Sequence, residues 1–179
     1  MTRFSSFQGL PARLARPLVA LGLGLLAAGP VRAQTPSFAP QTSFAVGIGP
    51  LGVAAADVNG DGKLDLLTAN NGGTGSVSVL LNTTATGAAT PSFAAQVAFS
   101  LVGPMPSAIA VADVNGDGKP DVLTVNYFPG NASVLLNTTA TGAATPSFAA
   151  PANFTISNSS FSIATADVNG DGKPDLLTP

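Results

Sequence analysis

A phrase that returns at a fixed interval constrains this chain more than any other feature. The string TPSFA begins at Thr35, Thr90 and Thr145, a period of 55 residues. The acidic phrase DVNGDGK-x-D begins at Asp57, Asp113 and Asp167, spaced 56 and 54, and SVLLNTTATGAATPSFAA runs from Ser78 and again from Ser133. Residues 34–179 are therefore read as a β-repeat region of about two and a half units, 35–89, 90–144 and a partial 145–179. Such a period means one supersecondary element stacked repeatedly, each copy burying a face against the next.

Inside a unit the segments are short, apolar or alternating, and bounded by turn residues, which is the strand signature. Before each acidic phrase, Val53, Ile109 or Ile163 and then Ala55, Val111 or Thr165 lie on one face, with alanine between them. A second strand follows the phrase, a third is SVLLN, and a fourth is expected over Phe93–Leu101 and Phe148–Ile156. The Ala-rich pieces 85–89 and 140–144 are broken by Gly87 and Gly142 and read as loops. Four strands per unit predict an all-β fold: four-stranded antiparallel blades of a β-propeller, incomplete, because a ring takes about 4–8 blades. A chain of two and a half units leaves strand edges open, which is expected of a truncated product or a piece of a longer protein.

Residues 1–33 read as a signal peptide. Arg3, Arg13 and Arg16 form a basic leader, PLVALGLGLLAA spans 17–28, and Val31-Arg32-Ala33 offers small residues for cleavage. The apolar run is shorter than the roughly 20 residues a spanning helix needs, so no membrane insertion is expected after cleavage. Absent cysteine, this predicts a bacterial exported, extracellular protein. The same inventory, with no cysteine, histidine or tryptophan, excludes disulfide frameworks, thiol nucleophiles, Cys/His zinc sites and triads with an imidazole base. All four arginines lie in the leader. What remains is three lysines against nine aspartates, a net charge of −6, all within 57–65, 113–121 and 167–175. An acidic chain of this kind lacks the basic footprint of a nucleic-acid binder.

Each acidic phrase carries side-chain oxygens at positions 1, 3, 5 and 9, glycine at position 6 and a lysine carbonyl at position 7. Oxygen donors at alternate positions around a glycine bend suit a hard cation. Ca²⁺ is preferred over Mg²⁺, which demands tighter octahedral geometry, and over softer metals, which lack His and Cys ligands here. The lysine ammonium is expected to point to solvent. Asn-Gly and Asp-Gly also make unaided hairpin turns. Three copies in a chain that places acids nowhere else favour the metal reading. An EF-hand shares the first six residues but requires glutamate at position 12, where this chain has Thr68, Thr124 and Thr178.

The acidic phrases, the apolar strands that follow them and the SVLLN strand resemble the FG-GAP/VCBS-type repeats of secreted bacterial proteins, akin to the integrin α-subunit propeller blades. The resemblance covers residues 35–179 and implies calcium ligation by Asp57, Asn59, Asp61 and Asp65; by Asp113, Asn115, Asp117 and Asp121; and by Asp167, Asn169, Asp171 and Asp175. The expected function is a secreted calcium-binding module with a structural, adhesion or ligand-binding role toward an extracellular protein or carbohydrate. The alternative is a fragment of a secreted propeller enzyme, a hydrolase or lyase. No catalysis is expected, because every carboxylate is assigned as a ligand and no histidine or glutamate remains for proton transfer. Tyr127, the sole tyrosine, reads as an amphipathic aromatic at a strand end, and the recurring Phe93, Phe99, Phe148 and Phe154 as core between blades. The N-x-S/T triplets at Asn82, Asn131, Asn137, Asn153 and Asn158 follow from a Ser/Thr-rich composition.

Overall fold

The computed structural model describes residues 38–101, 105–156 and 160–179, together with the backbone of residues 2–4. The expected signal peptide, 1–33, lies outside the described residues apart from a short strand, β1 (Thr2–Phe4). Two compact units form: Arg3–Thr42 makes one, and Ser43–Pro179, which holds the repeats, belongs to the other. Among the described residues every regular element is a strand. After a short β2 (Thr42–Phe44), strands β3 (Pro50–Ala56), β4 (Asp65–Asn70), β5 (Ser76–Leu80) and β6 (Val97–Ser100) pair antiparallel in sequence order. The pattern returns in β7 (Pro106–Ala112), β8 (Asp121–Asn126), β9 (Asn131–Leu135) and β10 (Ala152–Thr155), and begins again in the pair β11 (Ala164–Ala166) and β12 (Asp175–Leu177). These are antiparallel, blade-like sheets as expected, and they do not close into a ring.

The copies agree down to their irregularities. Val53 faces Thr68 and Ile109 faces Thr124, and the register shifts between Pro50 and Gly52 in one sheet and between Pro106 and Ala108 in the other. The fourth strands are shorter than the sequence suggested. Val79 pairs with Val97, yet Asn82 pairs with Phe93, so Leu80 and Leu81 oppose three residues, 94–96. The second sheet repeats this between the pairs Val134–Ala152 and Asn137–Phe148. One extra residue on the outer strand is a β-bulge, which bends the strand and interrupts its ladder. Pro151 lies within the second bulge, where its missing N–H does no harm to the ladder.

The core lies between the two four-stranded sheets. Leu67, Val77, Val79, Leu81 and Leu101 of the first repeat meet Val122 and Leu135 of the second, with Ile109, Val111, Phe99 and Phe148 packed around them. Each buried leucine or valine contributes about 1.5–3 kcal/mol relative to exposure, so this contact outweighs any single surface bond. Phe99 and Phe148 meet edge to face at 5.0 Å, and Phe44 and Phe93 at 4.9 Å. Phe154 departs from the core expectation: it sits on the edge strand β10 and is exposed. Polar residues fill part of each sheet in a continuous chain of bonds. Thr124 Oγ1 donates to Asn126 Oδ1, Asn126 Nδ2 to Ser133 Oγ at 2.8 Å, and Ser133 Oγ to Asn153 Oδ1. Thr68, Asn70, Ser78 and Gln96 form the matching chain in the first sheet. Buried hydroxyls and amides satisfied in this way avoid the cost of unpaired polar groups.

On β3 the small-residue face is the one that packs. Leu51 and Val53 are exposed, at 63% and 53%, whereas the Gly52, Ala54 and Ala56 face is half-buried. Small side chains are what allow β3 to lie close to β7. A Cβ placed on Gly52 would stand 3.1 Å from both Ile109 Cγ2 and the Ile109 backbone nitrogen. Gly52→Val must therefore separate the sheets, and we expect it to lower stability by about 1–3 kcal/mol, as overpacked interiors do. Urea denaturation of this variant against Val53→Ala, which alters the exposed face, measures the difference.

Candidate metal centre

Each acidic phrase is the loop joining the first two strands of a sheet, so all three lie at the same end of their hairpins. The loops hold their shape through aspartate oxygens that accept backbone N–H groups. Asp57 accepts from Asp61 (3.0 Å) and Gly62 (2.8 Å). Asp113 accepts from Gly116, Asp117 and Gly118, and Asp167 from Gly170, Asp171 and Gly172. The carboxamide oxygen at position 3 accepts the position 5 N–H in every loop. Position 5 accepts the lysine N–H at 2.8–2.9 Å through Asp61, Asp117 and Asp171. The turn needs glycine at position 6, where φ is +85° at Gly62 and +81° at Gly118 and Gly172.

The aspartate at position 9 works differently. It opens the second strand, and in the first two repeats it is fully buried. Asp65 Oδ2 accepts the Val58 N–H and Oδ1 accepts the Asn82 N–H, both at 2.8 Å. Asp121 takes the same two partners in its own repeat, Val114 and Asn137. One carboxylate thus ties the loop to the exit of the third strand. Asp175 accepts the Val168 N–H and is only half-buried. Burial pushes the Asp65 carboxyl above the usual carboxylate range, the amides of Asn82 and Val58 pull it back, and the charges of Asp61 and Asp57 add to the push. Asp167, fully exposed, is held below that range chiefly by the Gly172 and Gly170 amides.

Every predicted ligand is therefore placed in its loop and accepts amides of that loop, and Asp65 and Asp121 also accept the Asn82 and Asn137 amides. Among the described residues no three acidic side chains are arranged to hold a metal ion together. The donor chemistry still suits a hard cation, since each loop offers only oxygen: three carboxylates and one carboxamide within nine residues. The lysine expectation fails at Lys119, whose ammonium is drawn back to donate to the Thr139 carbonyl at 3.0 Å. That carbonyl belongs to the NTTATG loop, whose proximity the linear sequence does not reveal.

Matches to the model of the FG-GAP-like repeat cover residues 32–68, 57–124 and 113–178. The chain belongs to this family. Successive FG-GAP-like matches overlap on 57–68 and 113–124, the acidic loop and the strand after it, which are thus the features common to each end of the unit. A search among curated proteins found no match.

In the first two of these FG-GAP-like repeats the position 9 carboxylate serves the fold by accepting two backbone N–H groups. Asp65→Ala strands two backbone donors, and in calcium-free buffer it is expected to cost about 2–4 kcal/mol. Asp117→Ala removes two bonds, both exposed to water, and is expected to cost less than about 1 kcal/mol. Chemical denaturation of the two variants checks the ranking.

Proposed function

We propose that the chain is an exported, calcium-stabilised β-propeller-type repeat module that binds an extracellular protein or carbohydrate and performs no catalysis. The observation that carries the calcium part is the confinement of every charge beyond Arg32 to three loops of matching oxygen donors. In the first loop burial, together with the charges of Asp61 and Asp57, pushes the Asp65 carboxyl above the usual carboxylate range. A divalent cation relieves that conflict, with Asp, Asn and Asp at positions 1, 3 and 5 as its principal side-chain donors and position 9 closing the set. Extracellular modules of this kind need affinities of only about 10⁻⁴–10⁻³ M.

The binding part rests on the opposite end of the hairpins. There the sheets carry Ile48, Met105, Tyr127, Phe128 and Phe161, all exposed, and no charged residue. Tyr127 and Phe161 bring rings from successive repeats to 4.7 Å. An uncharged, aromatic-bearing rim suits a neutral sugar face or an apolar peptide segment.

Thermal melting with saturating calcium and then with chelator tests the reading. Binding at 100 times Kd adds about 2.7 kcal/mol per site, so the midpoint should rise by several degrees with calcium. An unchanged midpoint rejects the structural-metal role.

A further inference from the structure

The three acidic loops have nearly one sequence but not one environment. Loop 57–65 is covered by the NTTATGAAT loop of the following repeat. Asn137 Nδ2 donates to the Val58 carbonyl at 2.9 Å, the Gly142 N–H donates to the Asn59 carbonyl at 2.7 Å, and Asn59 Nδ2 donates to the Ala143 carbonyl at 2.9 Å. Thr141 Cγ2 lies 3.4 Å from where a Gly60 Cβ would stand. As a result Asn59 is 6% exposed, whereas Asn115 and Asn169 are exposed.

That contact changes what the carboxamide does. In the two uncovered loops its Nδ2 turns inward onto the position 5 carboxylate, at 3.1 Å from Asp117 Oδ2 and 3.4 Å from Asp171 Oδ2. There the amide donor occupies an oxygen that a cation would use. In the covered loop the Asn59 amide is committed to Ala143, and Asp61 keeps only its bond from the Lys63 N–H.

We infer that residues 137–143 are positioning residues for the acidic loop of the preceding repeat, so that docking of one repeat on the next and calcium binding at loop 57–65 favour each other. This rests on the calcium reading above. In the covered loop the competing amide donor is committed elsewhere and the loop is held in shape from outside, so its calcium affinity is raised by the contact. Loss of one exposed competing bond corresponds to a calcium midpoint about 3- to 10-fold lower than in the same loop without that contact.

The test is a calcium titration of the full chain followed by NMR, reading the amide signals of Gly62, Gly118 and Gly172 separately. In Gly142→Pro, which deletes the N–H bonded to the Asn59 carbonyl and forbids the φ of +71° at that position, the Gly62 midpoint should rise about 3- to 10-fold. Gly87→Pro makes the same lesion in the twin loop of the first repeat and should leave all three midpoints in place. A Gly62 midpoint indifferent to Gly142→Pro overturns the linkage while leaving calcium binding intact. No shift at any of the three glycines overturns the calcium reading and the linkage with it.

Discussion

A buried carboxylate that holds two backbone amides is the junction around which each repeat is organised. Asp65 stands where the second strand begins, and it fixes the Val58 amide of the loop and the Asn82 amide beyond the third strand. Without such an acceptor, two donors at the meeting point of three segments would be buried unpaired, a cost comparable to a sizeable fraction of domain stability. The hairpin, the third strand and the NTTATG loop are thus placed relative to one another by a single side chain. It recurs at Asp121, and the second sheet repeats the first in register. Charge repulsion from the neighbouring aspartates is the consequence of putting an acceptor that strong in a loop that needs several.

Most of the architecture was legible because it follows from period and pattern. Fixed repetition, alternating apolar strands and Gly-bounded turns gave antiparallel four-stranded units, and the loop position of the acidic phrases followed from the strands around them. What was hidden depends on contacts between distant segments. The bulge opposite Leu80 and Leu81 arises from a one-residue mismatch in pairing that no local propensity encodes. The exposure of Val53 reflects which face of β3 a neighbouring strand can approach, and Gly52 decided that. Within the acidic loop, spacing identified the oxygen-bearing residues but could not separate positions 1, 3 and 5, which shape the turn, from position 9, which bridges strands. The two kinds of aspartate differ in burial, and burial is a property of the fold.

The division of the molecule into a charged rim and an uncharged one follows from stacking. Sheets that pack face to face leave no place for a charge along their strands, since an unpaired buried charge costs far more than any side-chain contact returns. Only the two ends of the hairpins remain, and this chain assigns its charge to one of them. Residues 34–179 carry −6, and three divalent cations, one for each loop, would balance it. The acidic loops and the seating of the second repeat upon loop 57–65 both lie at that end. The opposite end, free of charge and bearing aromatic rings from successive repeats, is left to vary: the glycine-rich turn of the first repeat, 71–75, becomes Tyr-Phe-Pro-Gly at 127–130 in the second. Variation there leaves the aspartate junction at the other end untouched, since connecting turns can change while the strands they join keep their pairing.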